Sequence, residues 1–376
     1  MSQPSILMTV LSFLLVIGPL IFIHEMGHYL AGRWFGVKAD VFSIGFGREI
    51  AGWTDTRGTR WKIGWLPLGG YVKFAGDMNP ASTPTKEWLS LPAEERNKTF
   101  QAKSVWQRFV IVAAGPVVNF LFAILVYVAL FASYGEPRTP PVVAAVSQGS
   151  AAERAGLRAG DRIAEINGEK IERFEDIASY VRIRPGERLS VEVERAGRPL
   201  VLSAVPDAQV MRDRFGNEAK VGLLGIAPAE RVIAPLGAHQ LVGAAVRQTT
   251  DTVTMMVVTL GQVVTGQRSV KEMGGPLKIA QYSGQQASLG WIDFIWFMTI
   301  ISINLGFINL LPIPLLDGGH LLFYLIEGVR RKPLKPEAQE WAFRTGLAAL
   351  LALMIFVTLN DLASFGVWKA LGGLIG

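Results

Sequence analysis

Cysteine is missing altogether, so the chain can hold no disulfide, thiolate zinc site, cysteine nucleophile or cysteine-ligated iron–sulfur cluster. Charge is also scarce, at 18% of residues, where an ordinary soluble domain carries about 25%. Histidine is rarer still, with four in 376 residues. Apolar residues make up 50% of the chain and the mean hydropathy is +0.32. They gather in long uncharged runs, which excludes a purely soluble globule. The excess of 37 Lys and Arg over 31 Asp and Glu then reads as basic loops beside a membrane, with no nucleic-acid partner.

Four runs meet the roughly 20 apolar residues that a helix needs to cross a bilayer. They are 1–23, with apolar pattern resuming after His24, then 109–135, 294–316 and 341–360. No basic n-region or small-residue cleavage site precedes His24, so the first run reads as a span and not a signal peptide. Basic residues cluster between the first and second spans (Arg33 to Lys103) and between the third and fourth (Arg330, Arg331, Lys332, Lys335). The positive-inside rule puts both clusters in the cytoplasm, with both termini and the segment 136–290 outside. Ser179 and Ser283 are expected to be accessible there. Within it, 252–267 is short and Thr-rich and reads as interfacial rather than spanning.

Part of the external segment alternates as strands around the turn Asn167-Gly168, with a helical stretch at 174–183. This order, with the core AGLRAGDRIAEINGEKI, resembles a PDZ domain of the bacterial type, to which 221–228 returns a further strand. On the cytoplasmic side, 41–47 and 60–66 alternate with β periodicity. Two readings stand for them: a small sheet on the membrane surface, or a hairpin dipping back into it where protein covers its backbone. Tyr71 sits in a strand pattern suited to an edge that could receive an extended peptide.

His24-Glu25-Met26-Gly27-His28 is the motif that carries chemistry. Residues i and i+4 of a helix differ by about 40° around the axis, so both imidazoles can ligate one Zn²⁺. Glu25 is then placed to act as the catalytic base on water without being a ligand. These ionisable groups lie in an otherwise apolar span, where each costs at least ~2.5 kcal/mol unless compensated. A catalytic zinc takes a third protein ligand. His239 falls on the wrong side; His320 and Asp317 fall at the right depth. The context NLLPIPLLDGG, whose prolines break the helix and free an oxygen to turn inward, favours Asp317. Asn304 and Asn309 can hydrogen-bond substrate backbone or join helices.

The zinc motif and NLLPIPLLDGG are similar to those of the site-2 protease family of intramembrane zinc metalloproteases. GFG, LPLGGYVKFAGD, GPVVN and GGPLKIA extend the resemblance to the bacterial regulator of sigma-E protease type, here with a single PDZ unit where well-known members have two. It implies His24, His28 and Asp317 as ligands of one Zn²⁺ per chain and Glu25 as base. It also implies Asn304 and Asn309 as substrate contacts, and Gly45, Phe46 and Gly47 as part of a membrane-re-entrant β element. The implied activity is cleavage within the membrane spans of single-span proteins, such as anti-sigma factors and remnant signal peptides, in the sigma-E stress response. The implied place is the bacterial inner membrane, with the lipid bilayer as the other partner. A non-enzymatic membrane scaffold with a closed, structural metal site is the alternative.

The expected fold is a polytopic α-helical membrane protein with four transmembrane helices, a membrane-associated β-hairpin region and one external PDZ-like α+β domain. Its parts are a first span (1–33), a β region (34–104), a second span (105–135), the PDZ-like domain with its return strand (139–230) and an interfacial amphipathic region (231–290). A third span with the aspartate (291–318), a cytoplasmic loop (328–340), a fourth span (341–360) and an external tail (361–376) complete it.

Overall fold

The computed structural model describes residues 4–76, 88, 90–212, 218–266, 274–332 and 334–364. Lys86 of the first basic cluster, Asp77 of LPLGGYVKFAGD and 365–376 of the expected tail lie outside them. The described residues form two compact units, one of 1–127, 246–257 and 270–376, the other of 128–245 and 258–269.

Among the described residues, four helices are long and apolar enough to cross a membrane, Ile6–Trp34, Val105–Tyr134, Trp291–Leu310 and Glu337–Ala363. The first is α1 (Ile6–Trp34), started by Ser5, whose hydroxyl accepts the Met8 N–H at 3.2 Å. One stripe of α1 is buried, including Val16, Leu20, His24 and His28, while Leu7, Leu11, Leu15 and Leu30 are exposed on the rest. A helix apolar on its exposed face matches lipid as its solvent.

After α1 come β1 (Ala39–Thr54) and β2 (Arg60–Phe74), each long enough to fold back on itself. Val41, Phe42, Ser43 and Ile44 pair with Lys73, Val72, Tyr71 and Gly70 on one side and lie beside Arg60, Trp61, Lys62 and Ile63 on the other. Glu49 to Thr54 pair with Gly64 to Arg60. The result is a four-rung sheet in the order 70–74, 39–44, 60–63, 49–54. Gly45 (φ +85°) and Gly47 (φ +82°) turn the chain between its rungs, in backbone that side chains with a Cβ rarely adopt. The inner rung packs on α1: Phe42 stacks on Trp61 at 4.4 Å and meets Tyr29 edge-on. At the other end Ile50, Trp53 and Trp65 are exposed.

A short turn, α2 (Ala93–Arg96), precedes α3 (Val105–Tyr134), which is shared between the units. The second unit then runs β3 (Glu136–Arg138), β4 (Val143–Val146), α4 (Ala151–Arg154), β5 (Arg162–Ile166), β6 (Glu169–Lys170), α5 (Phe174–Arg182), β7 (Leu189–Arg195), β8 (Arg198–Ala204), β9 (Asp207–Arg212), β10 (Glu218–Leu223), β11 (Ile226–Pro228) and β12 (Val232–Ala234). Its main sheet has the order β6-β5-β7-β8, with β11 returning to pair with β4 and β10 with β9. Asn167 (φ 50°) and Gly168 (φ 80°) make the tight β5–β6 turn. Alternate residues Ile163, Val191, Val193 and Leu189 are wholly buried with Ile177 and Val181 of α5. A groove of about 320 Å³ lies between α5 and the chain from Val221 to Ile226.

The remainder is α6 (Ala238–Val264), α7 (Pro276–Leu289), α8 (Trp291–Leu310), α9 (Asp317–Arg330) and α10 (Pro336–Ser364). Three features differ from the sequence expectation. The region expected to be interfacial holds a helix, α7, that packs against α1, α8 and α10. Its first-turn N–H groups at Gly275 and Lys278 are accepted by the wholly buried Asp361 of α10, each at 3.2 Å. Ser283, expected to be accessible, is buried against α1, its neighbour Gly284 lying on Thr9. Lastly, the third span does not reach the aspartate. Pro312 and Pro314 stop α8 at Leu310, and Asp317 opens a separate helix. That helix also takes up the first residues of the expected loop at 328–340.

Candidate metal centre and its surroundings

His24 and His28 project from one face of α1, with their Nε2 atoms 3.3 Å apart. Asp317 Oδ2 lies 3.1 Å from the first and 3.4 Å from the second. The carboxylate reaches this point because of the break before it. Leu315 adopts φ +87°, and Gly318 and Gly319 let the first turn of α9 press on the chain at 310–314, where a Cβ would overlap backbone carbonyls.

These three atoms can hold one metal ion. A tetrahedral Zn²⁺ with bonds of about 2.0–2.1 Å has ligand atoms about 3.3–3.4 Å apart. The triangle of 3.1, 3.3 and 3.4 Å therefore has the size of one tetrahedral face. Asp317 Oδ2 is buried and lacks a hydrogen-bond donor among the described residues, as an atom committed to a cation would. Zinc fits this donor set.

Each histidine is held from behind. His28 Nδ1 donates to the Ile111 carbonyl at 3.0 Å, and His24 Nδ1 faces the Asn119 amide at 3.2 Å. Both partners belong to α3, which comes close to α1 because a glycine on each helix leaves room for the other. Gly27 of α1 lies on Ala114, and a Cβ on Gly115 would occupy the His28 ring. Glu25, next to His24, is buried, its side chain lying against Gly70 of the outer rung of the sheet.

A cavity of about 550 Å³ joins these groups. His24, Glu25, His28 and Asp317 line it, with Phe46, Gly69, Gly70 and Val72 from the sheet and Asn309 and His320 opposite. Asn304, Gly45, Gly47 and Tyr71 are not among its lining residues. Gly45 packs against the carbonyls of Gly64 and Leu66, and Tyr71 stacks on Phe46 at 6.1 Å. His320 lines the cavity but stands outside the metal-binding triangle. Sequence reasoning missed Ile111 and Asn119. Ile111 acts through its backbone carbonyl and leaves no residue signature; Asn119 ends the GPVVN motif, which was legible but had no role.

A His-Glu-x-x-His helix completed by a carboxylate from a second helix, among apolar helices of membrane-crossing length, defines a membrane zinc metalloprotease. The chain belongs to peptidase family M50, the site-2 protease family, whose model matches residues 12–353. It is 37% identical over 393 residues to the metalloprotease MmpA of Caulobacter vibrioides, covering 98% of each chain. A protein of Agrobacterium fabrum, provisionally named a zinc metalloprotease, is 46% identical over 361 residues, covering 94% of this chain and 96% of its own. A solved PDZ domain of an SdrC-like protein from Listeria monocytogenes aligns with 24% of this chain and 88% of its own at 18% identity and a TM-score of 0.18. That value leaves the second unit to be read from its own strands.

Proposed function

We propose that the chain is an intramembrane protease that cuts peptide bonds within the spans of single-span membrane proteins, anti-sigma factors and remnant signal peptides among them. His24, His28 and Asp317 hold the zinc, and Glu25 is the catalytic base. The observation that carries this reading is the metal-sized triangle beside a buried, non-ligand carboxylate on an apolar helix. A zinc ion bound there supplies Lewis acidity that polarises the scissile carbonyl and acidifies the attacking water.

Glu25 takes the proton of that water and returns it to the leaving amine. The Glu25 side chain lies against Gly70 of the outer rung. A helical substrate hides its amides in its own hydrogen bonds, so it must be drawn out before it is cut. The outer rung at 70–74, paired on one side only among the described residues, offers backbone groups to an extended segment by strand addition, with Phe46 and Tyr71 at its end. Asn309 reaches the same cavity and supplies a polar contact to substrate backbone, a role also open to Asn304 on the same helix.

The basic-loop bias of the sequence supports a metal site near the cytoplasmic face of the bacterial inner membrane and a second unit outside it. The AGLRAGD core and strand order of that unit support a PDZ-like role in screening substrates, as in a sigma-E type response. The test is incubation of the purified full chain with a panel of single-span type II peptides. Glu25→Gln should abolish cleavage while about one zinc per chain is retained. Loss of zinc together with activity would make Glu25 a ligand and overturn the assignment.

A further inference from the structure

The GPVVN motif on α3 has no part in the chemistry above, yet both of its polar or small ends touch the metal-binding histidines. Gly115 admits the His28 ring, and one turn later Asn119 faces His24 Nδ1 at 3.2 Å. Asn119 is wholly buried, and its backbone carbonyl accepts the hydroxyl of the equally buried Ser302 on α8 at 3.0 Å. Its backbone is therefore tied to α8 at this point.

The protonation pattern of His24 is dictated by its other nitrogen. Nε2 turns towards Asp317 Oδ2 and His28 Nε2, so as a ligand it must be the lone-pair nitrogen, and Nδ1 carries the proton. An Nδ1–H needs an acceptor, which the amide NH₂ cannot be. Asn119 Oδ1 is meanwhile buried without a hydrogen-bond partner among the described residues. A half-turn of the amide, whose oxygen and nitrogen are assigned from their network, meets both needs at once. Oδ1 then accepts from His24 Nδ1–H.

We propose that Asn119 is a positioning residue for the zinc. Its side-chain oxygen fixes the His24 tautomer and ring orientation that turn Nε2 to the metal, an inference that rests on His24 being a ligand. The contrast with His28 sharpens it. His28 has its acceptor in the Ile111 carbonyl, which no substitution removes, whereas that of His24 depends on one side chain.

The test uses the full chain in detergent, with zinc affinity measured by competition against a chelating dye. Asn119→Ala removes the acceptor, and zinc binding should weaken about 10- to 100-fold, the usual scale for a group behind a ligand. Asn119→Asp keeps an oxygen acceptor and should bind zinc as the unsubstituted chain does. Unchanged affinity in the alanine variant, or equal losses in both, would overturn the proposal. A measurement without substitution covers the case in which the alanine variant does not fold. With ¹⁵N-labelled histidine in the zinc-loaded chain, His24 should show the Nδ1–H tautomer, and an Nε2–H resonance would refute it. Failure of the unsubstituted chain to bind zinc at all would instead remove the ligand assignment.

Discussion

A methyl group on residue 115 would stand where the His28 ring stands. Gly115→Ala should therefore displace that ring and weaken zinc binding by about 10-fold or more, while a fold carried by four long helices persists. Chelator competition, alongside helix content from circular dichroism, separates the two effects. Asp317→Asn is the complementary change. It removes the charged oxygen at one corner of the triangle and should lower zinc affinity and abolish turnover, with membrane insertion unchanged; full zinc stoichiometry and activity would move the third corner to His320. In the second unit, Arg195 holds buried Asp161 through two bonds of 2.7 Å, and this keeps the carboxyl below its usual range. The sign follows from a depressed pKa. The stability it lends is full above about pH 4, the unfolded carboxylate value, and is lost as pH falls through the lower folded value. Thermal unfolding of this unit should therefore become acid-sensitive below about pH 4, and Arg195→Gln should flatten that response.

At the scale of elements, the outer rung of the sheet packs on the base: a Cβ at Gly70 would stand 3.0 Å from Glu25 Cγ. Gly70→Ala therefore presses on the Glu25 side chain and should lower kcat by about 10-fold or more, within the worth of a positioned general base, with zinc retained; an unchanged kcat would show that Glu25 does not depend on this contact. This link could not be read in the sequence because it is a contact between a strand and a helix. The HExxH helix was legible, since its spacing alone aligns two imidazoles. So was Asp317, because two prolines announce a break, although the separate helix α9 was not: it is set by Gly318 and Gly319 fitting against backbone, a tertiary contact. The burial of Ser283 was hidden for the same reason. A polar sequence from 276 to 289 reads as surface until Asp361, 72 or more residues later, caps it.

For the whole molecule, the test is one of sidedness. The chain has no cysteine, so single cysteines report cleanly. Ser283 is unsuitable because it is buried, but Ser179 and Ser288 are exposed. Under four crossings both Ser179→Cys and Ser288→Cys should react with an impermeant thiol reagent in intact cells; silence at both, or opposite behaviour, would refute that topology. Deleting 140–206 removes no member of the metal triangle and should relax substrate selection while zinc binding persists. Loss of all cleavage with zinc retained would make the second unit a required binding module.

The metal triangle has one more property, which concerns the path of the chain. Two of its corners lie on a single helix near the start, and the third comes from a helix that begins 289 residues after His28, at Asp317. An ion gripping all three binds the folded helical unit and not the unfolded chain, so it would hold the two ends of a very large loop together only while that unit is folded. Zinc is thus a staple for the helical unit as well as a reagent. Stripping it with a chelator should lower the unfolding temperature of that unit and leave the second unit, which supplies no corner, melting where it did before.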